Sequence, residues 1–245
     1  MYINEINYRY PKSTFKLSLE NTDLSAPIVA LLGANGCGKS TLMKLISGQI
    51  DASGKNTSHI DIGNKRIIVH DAFSYLNDFL TVRDHLIFFV RLHQRTGYEY
   101  EKVITDCDLW KLMQQKLDTL SAGQAARLRI ASSLLAMPDV MLMDEPTTGC
   151  DLKTVEFFVE MVKMLVQRGV QCILVTHQLY EISSLQPTVF GMHDGKTLGV
   201  SVWQKSWNTA QGLQGLMKNI VHGRSISVIE AIKPKISVVR ELHHA

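Results

Sequence analysis

Apolar and polar positions along this chain sort into short hydrophobic runs, each ending at a glycine-rich, acidic or histidine-bearing turn. Residues 28–32, 140–143 and 171–175 read as buried strands, short and apolar with few polar positions. Helical spacing follows the first run at residues 41–46 and recurs in the alanine- and leucine-rich stretch that ends at Ala136. Over residues 151–168, Val155, Phe158, Val159, Val162 and Leu165 fall along one side of a long helix. Residues 189–192 and 197–200, split by His193-Asp194-Gly195-Lys196, predict a closing hairpin. Strand and helix alternate, which predicts an α/β fold around a mostly parallel sheet.

The turn after the first strand is Gly-Ala-Asn-Gly-Cys-Gly-Lys-Ser at residues 33–40, a complete phosphate-loop pattern. Its setting of strand, glycine loop and helix is the one such a loop requires. Glycines let the N–H groups of Gly36, Gly38 and Lys39 approach phosphate oxygens, the helix N-terminus adds partial positive charge, and Lys39 adds a full one. Ser40 supplies a hydroxyl for Mg²⁺.

Composition narrows the picture only a little. With 245 residues the chain has ample length for a core of its own, and 45% hydrophobic with 20% charged residues is ordinary for a soluble protein. A net charge of +3 gives no argument for nucleic acid. No apolar stretch reaches the roughly 18 residues of a membrane span, and the first residues lack the pattern of a signal peptide. Cys37, Cys107, Cys150 and Cys172 are scattered, which suits free thiols in a reducing compartment.

The run at 140–143 ends in Asp144-Glu145-Pro146. Carboxylates at the carboxyl end of a strand stand where ligands bind in open α/β sheets. Asp144 is placed for Mg²⁺ and Glu145 for polarising a water against a γ-phosphate. Between loop and acidic strand lies Leu120-Ser121-Ala122-Gly123-Gln124 at the start of a helix, where a serine also serves as an ordinary N-cap.

With these motifs in this order, the chain resembles the ATP-binding cassette family, the nucleotide-binding subunits of ABC transporters. Residues 33–41 match the Walker A loop, residues 120–124 the LSGGQ signature with Ala122 for a glycine, and residues 140–145 Walker B. Thr148-Gly149-Cys150-Asp151 looks like the D-loop, with Cys150 for a leucine, and His177 ends a strand where the family carries its switch histidine. The resemblance implies a RecA-like, mostly parallel core with a helical subdomain over about residues 76–136 and an antiparallel β-subdomain. Residues 47–66 are few and turn-forming, so that β-subdomain is expected to be reduced. It implies ATP and Mg²⁺ as cofactors, with Gly33, Asn35, Gly36, Cys37, Gly38, Lys39, Ser40 and Thr41 around the phosphates and Ser40 and Asp144 on the metal. Tyr10, or alternatively Tyr8, would stack on adenine; either tyrosine also suits a plain sheet position. Glu145 and His177 would be catalytic. Ser121, Gly123 and Gln124 would close over the nucleotide of a second cassette, and Asp151 would link the two sites.

The family's glutamine before the helical subdomain is missing from residues 66–75. Its slot falls near Ala72 by one count and nearer His70 or Asp71 by another, and Asp71 alone among these offers the metal a carboxylate. Cys37 reads as a small filler at a variable position of the loop; alternatively its place at a helix N-terminus, which lowers thiol pKa, would make the loop sensitive to alkylation. Residues 81–92 form an amphipathic pattern most similar to cassettes of ABC-2-type exporters. The expected function is ATP hydrolysis driving a separate multi-span permease, as a head-to-tail homodimer on the cytoplasmic face of the membrane, with export as the direction. A regulatory or non-transport cassette is the alternative. The cassette is assigned residues 1–200. Residues 201–245 form a basic extension, six Lys/Arg against two Glu, expected as a solvated helical appendage with Trp203 and Trp207 at its start.

Overall fold

Successive side chains on a strand point to opposite faces, so a strand buried on both faces must be apolar at every position. The central strands meet that condition. The computed structural model describes residues 1–52, 56–71, 80–94 and 97–226, without the side chains of Asp71 and Tyr98. In chain order it runs β1 (Tyr2–Tyr8), β2 (Leu17–Asp23), β3 (Ile28–Gly33), α1 (Lys39–Ile46), β4 (Thr57–Asp61) and β5 (Ile67–Asp71). There follow α2 (Val82–Leu92), α3 (Gly97–Asp106), α4 (Ala122–Ala136), β6 (Val140–Asp144), α5 (Leu152–Gln167) and β7 (Gln171–Val175). The described chain closes with α6 (Leu179–Leu185), β8 (Thr188–His193), β9 (Lys196–Ser201) and α7 (Ala210–Val221).

A six-stranded sheet has the order β5-β6-β7-β3-β8-β9, with β9 its antiparallel member. Alternate residues divide between two cores. Ala30, Leu32, Met141, Met143, Cys172 and Leu174 face the layer containing α5 and α7. Val29, Leu31, Leu142, Ile173 and Val175 face α1 and a three-stranded antiparallel sheet of order β2-β1-β4. That small sheet is the reduced β-subdomain expected from the short interval after α1. The α/β class, the mostly parallel core and the closing hairpin of β8 and β9 all appear as the pattern predicts.

Helices α2, α3 and α4 pack together beside β5. Thr81 and Asp84 form a capping box at the start of α2, where Val82, His85 and Leu86 are buried while Phe88 and Leu92 remain exposed. His85 Nε2 lies 2.8 Å from Ser132 Oγ on α4. Because the Ser132 hydroxyl donates to Leu128 O at 2.9 Å, its oxygen must accept, and His85 carries its proton on Nε2.

The carboxyl end departs from expectation. Within the predicted extension, Trp207, α7 and Ile226 pack on the main core and do not form a solvated appendage, while residues 227–245 lie outside the described residues. Trp207 is 1% exposed, and Leu213, Leu216 and Ile220 of α7 bury one helical face against the sheet and α6. Beyond α7 the chain returns to β9, where Ile226 N donates to Leu198 O. Ile226 packs so closely over Gly191 that a Cβ there would lie 2.5 Å from it. A basic tally taken over the whole stretch hid a regular apolar stripe on α7, whose burial fixes the helix on the sheet while Lys218 stays exposed.

Burial lowers the pKa of His85 below the ordinary histidine value. A folded-state pKa below the unfolded one stabilises the fold above that ordinary value and loses stability as pH falls beneath it. Denaturant unfolding between about pH 7 and about pH 5 is therefore expected to show falling stability, by at most about 1.4 kcal/mol per pH unit for each such histidine. His85→Gln keeps a donor for Ser132 but cannot titrate, and its acid-side loss is expected to be smaller.

Candidate active site

The parallel register brings the ends of the central strands to one edge. Asp71 pairs with Asp144, Asp144 with Val175, and Val175 with Leu31 two residues short of the phosphate loop. Polar residues that close the strands therefore stand side by side at the carboxyl edge. A cleft of about 290 Å³ opens there, lined by Phe15, Asn35, Gly36, Gly38, Lys39, Ser40, Thr41, Asp144, Glu145 and Val175.

The loop from β3 to α1 turns through Gly36 and Gly38 at φ 78° and 109°, left-handed values that favour glycine. A Cβ on Gly36 would meet nothing within 4 Å, so that stretch of backbone faces open space, while one on Gly38 would strike Phe15 at 2.9 Å. The Lys39 ammonium folds back on its own loop, donating to Gly33 O at 2.8 Å and Ala34 O at 3.0 Å. Lys39 is only 7% exposed, and these carbonyls supply the partners that a buried cation needs.

At Cys37 the structure agrees with the small-filler reading and not with the reactive thiol. Its side chain is 3% exposed and sits where a Cβ on Gly33 would be, 2.5 Å from the thiol sulfur. Burial pushes the thiol pKa up, against the opposing pull of Lys39. Helix-terminus electrostatics lose here to desolvation.

Across the cleft, Ser40 Oγ donates to Asp144 Oδ2 at 2.9 Å, joining the first turn of α1 to the end of β6. The two oxygens are hard donors at one point, a set suited to a cation such as Mg²⁺. Open glycine backbone, a lysine and a hydroxyl–carboxylate pair in one cleft fit a nucleotide triphosphate with its metal.

Glu145 follows at φ 47°, uncommon for a residue with a side chain, and its N–H donates to Val175 O. This turn holds the carboxylate between two partners. His177 Nε2 lies 3.4 Å from Oε1, and the Thr148 hydroxyl donates to Oε2 at 3.0 Å. Glu145 and His177 are both half-exposed, so water can reach the pair. Thr148 was legible only as part of the D-loop match; its bond to Glu145 depends on a tight turn that sequence spacing does not reveal.

Ser121, Gly123, Gln124 and Asp151 do not line this cleft. Ser121 N-caps α4 through a capping box in which Gln124 N donates to its hydroxyl and Gln124 Oε1 accepts from Ser121 N. The serine stays exposed, and its own O–H remains a donor. Asp151 caps α5, accepting from Thr154 N at 2.9 Å. Gly123 lets α4 approach α5 closely: a Cβ there would lie 2.5 Å from Thr154 Oγ1 and force that side chain to move. Ala122 next to it is exposed, which explains how a methyl is accommodated in the signature position. Cys150 is half-buried.

Tyr8 is a core residue at 6% exposure, and the partly buried Tyr10 packs edge-on against it at 5.0 Å. Phe15 forms the aromatic wall of the cleft, and no motif singled it out. Asp71 ends β5 beside Asp144, but its side chain and Ala72 lie outside the described residues, whereas His70, the other candidate for the glutamine slot, is buried at 2% exposure.

A family model described as ABC transporter matches residues 21–148. The chain belongs to the ABC transporter family. A second model, an AAA domain named for a type IV toxin–antitoxin system, matches residues 115–183. The chain is 29% identical over 213 residues to a Bacillus cereus protein named ABC transporter ATP-binding protein, covering 80% of this chain and 37% of the relative's length. It is 28% identical to the phosphate import ATP-binding protein PstB of Colwellia psychrerythraea (81% of this chain, 80% of that one). It is 31% identical to the Nod factor export ATP-binding protein I of a Rhizobium species (74% and 63%). A solved ATP-binding subunit of an ABC transporter superposes with a TM-score of 0.75 at 19% identity, over 89% of this chain and 98% of that one. ATP-binding proteins of the ABC family are ATPases, and the cleft carries the ABC phosphate-loop and acidic-strand residues. Among the described residues no helix is long and apolar enough to cross a membrane.

Gly123→Ala is expected to destabilise the ABC domain by about 1–3 kcal/mol through the clash with Thr154. Thr154→Ala should recover part of that loss in the double variant, measured by denaturant unfolding. For Cys37 the expected outcome is slow maleimide labelling of the native chain, little changed by nucleotide and fast only after unfolding.

Proposed function

We propose that this chain hydrolyses ATP as the nucleotide-binding subunit of an ABC transporter and drives a separate membrane permease. The observation that carries the reading is the meeting of Lys39, the Ser40–Asp144 pair and the Glu145–His177 pair along one sheet edge. Lys39 exchanges its two loop carbonyls for phosphate oxygens, and the N–H groups of the glycine loop take further phosphate contacts. Ser40 and Asp144 hold the cation, which neutralises charge on the phosphates when bound. Glu145 orients and deprotonates the attacking water, while His177 fixes the carboxylate and reaches toward the terminal phosphate. Base stacking is assigned to Tyr10, with Phe15 extending the aromatic wall.

Ser121 and Gly123 lie outside the cleft of their own chain, which supports a head-to-tail pair in which each chain's α4 N-terminus completes the other's site. Two equal sites in a homodimer follow from one chain holding both halves. Asp151, in the loop between Glu145 and α5, is the residue assigned to link them. Exposed Phe88 and Leu92 on α2 support a permease contact at the helical layer, at the cytoplasmic face of the membrane. The pattern of residues 81–92 supports export; the named relatives include both an importer and an exporter subunit, so direction rests on that pattern alone.

A tagged chain purified from membranes in mild detergent is expected to bring down a multi-span protein and to hydrolyse ATP. Glu145→Gln should lower turnover by about 10²-fold or more, keep ATP binding within about threefold, and accumulate as an ATP-bound dimer. Turnover that survives the substitution would remove Glu145 from the role given to it. An active chain without any membrane partner would favour a non-transport ATPase.

A further inference from the structure

Behind the Glu145–His177 pair lies a buried polar cluster that the reading above does not use. Glu181, on the first turn of α6, is fully buried, and Thr147 and Thr176 are 1% and 2% exposed. The Thr147 hydroxyl donates to Glu181 Oε1. The same hydroxyl oxygen accepts from Gln178 Nε2 at 2.7 Å, and Gln178 Nε2 also donates to Thr147 O at 3.1 Å. Gln178 N donates to Thr176 Oγ1 at 3.0 Å. Thr147 thus uses its donor and its acceptor on α6 and the turn before it, leaving it one orientation.

The connectivity matters because of what the two turns carry. Residues 145–148 hold Glu145 and Thr148, and residues 176–178 hold His177. Without the cluster, the turns are joined by Glu145 N–H to Val175 O and by the half-exposed Glu145–His177 contact. The second is a weak, solvent-accessible tie. The bond from Thr147 to Glu181 is in the dry interior and those from Gln178 are partly buried. Breaking such a buried polar contact is expensive, the more so beside Glu181 Oε2, which is buried without a hydrogen-bond partner.

We propose that Glu181, acting through Thr147 and Gln178, clamps the turn bearing Glu145 to the turn bearing His177 and is a positioning residue for ATP hydrolysis. The assignment rests on the hydrolytic reading of Glu145 and His177 given above. Glu181 is fully buried and does not line the cleft; it acts by setting the separation and orientation of Glu145 and His177. Burial pushes the Glu181 pKa up against the opposing hydrogen bonds of Thr147 and Thr176, and the Glu145 charge adds to the rise. Glutamine in that place keeps an oxygen to accept from Thr147.

Two readouts test the clamp. In steady-state kinetics, Glu181→Ala and Thr147→Val are expected to lower kcat on the order of 10-fold to 100-fold with KM for ATP within about threefold, since misplacement acts on the reaction and not on phosphate binding. Glu181→Gln is expected to retain kcat within about threefold. Thr147→Val preserves shape and stands in if Glu181→Ala fails to fold. In amide hydrogen exchange of the nucleotide-free chain, Glu181→Ala should lose protection in residues 145–148 and 176–178 together, and Glu181→Gln should keep it. Unchanged kcat in both Glu181→Ala and Thr147→Val, a glutamine variant as impaired as alanine, or loss of protection in one turn alone would overturn the clamp. A wild-type chain with the expected exchange pattern but no ATP turnover would instead refute the hydrolytic reading and leave the clamp as a structural fact.

Discussion

Every distance at the cleft depends on the parallel register around β7. This strand bonds to β6 on one side and β3 on the other, with Asp144 opposite Val175 and Val175 opposite Leu31. Parallel pairing is evenly spaced, and a slip of one residue would move every side chain to the opposite face. Since both faces of these strands are buried against different layers, such a slip would misplace a complete set of apolar contacts. Hydrophobic packing thereby sets the position of Ser40 against Asp144 and of Glu145 against His177, although none of those four is itself a core residue.

The polar groups at the edge are held by short-range devices layered on that register. Glu145 leaves β6 through a left-handed residue, and its N–H is returned to the end of β7. Ser121 and Asp151 spend side-chain oxygens on helix N-termini that would otherwise carry unpaired N–H groups. A capping serine and a recognition serine are therefore compatible, because a hydroxyl that accepts within its own helix still has a proton to give.

What was legible in the sequence is what depends on neighbours along the chain. The phosphate loop, the acidic strand end and the alternation of strand with helix are local patterns, and each appears where its spacing predicts. Contacts between distant segments left no local trace. Phe15 reaches the cleft from β2's approach, Gly123 lies close against Thr154, and Glu181 meets Thr147 across 34 residues. Two places show one force overridden by its competitor. Helix-terminus charge at Cys37 yields to burial, and the positive composition after Ser201 obscured Leu213, Leu216 and Ile220, which share one helical face.

The ammonium of Lys39, resting on Gly33 O and Ala34 O, has a consequence for how the loop keeps its shape. The loop carries an internal counterweight: two carbonyl dipoles converge on its own cation, so it is self-complementary at that point. On the proposed reading of the site, nucleotide affinity is the difference between two oxygen sets competing for one nitrogen. Removing that nitrogen changes both sides of the comparison, uncovering the carbonyls at the end of β3 as well as depriving the phosphates of a partner. A lysine usually regarded as a ligand-binding group is here also part of the resting architecture of the loop.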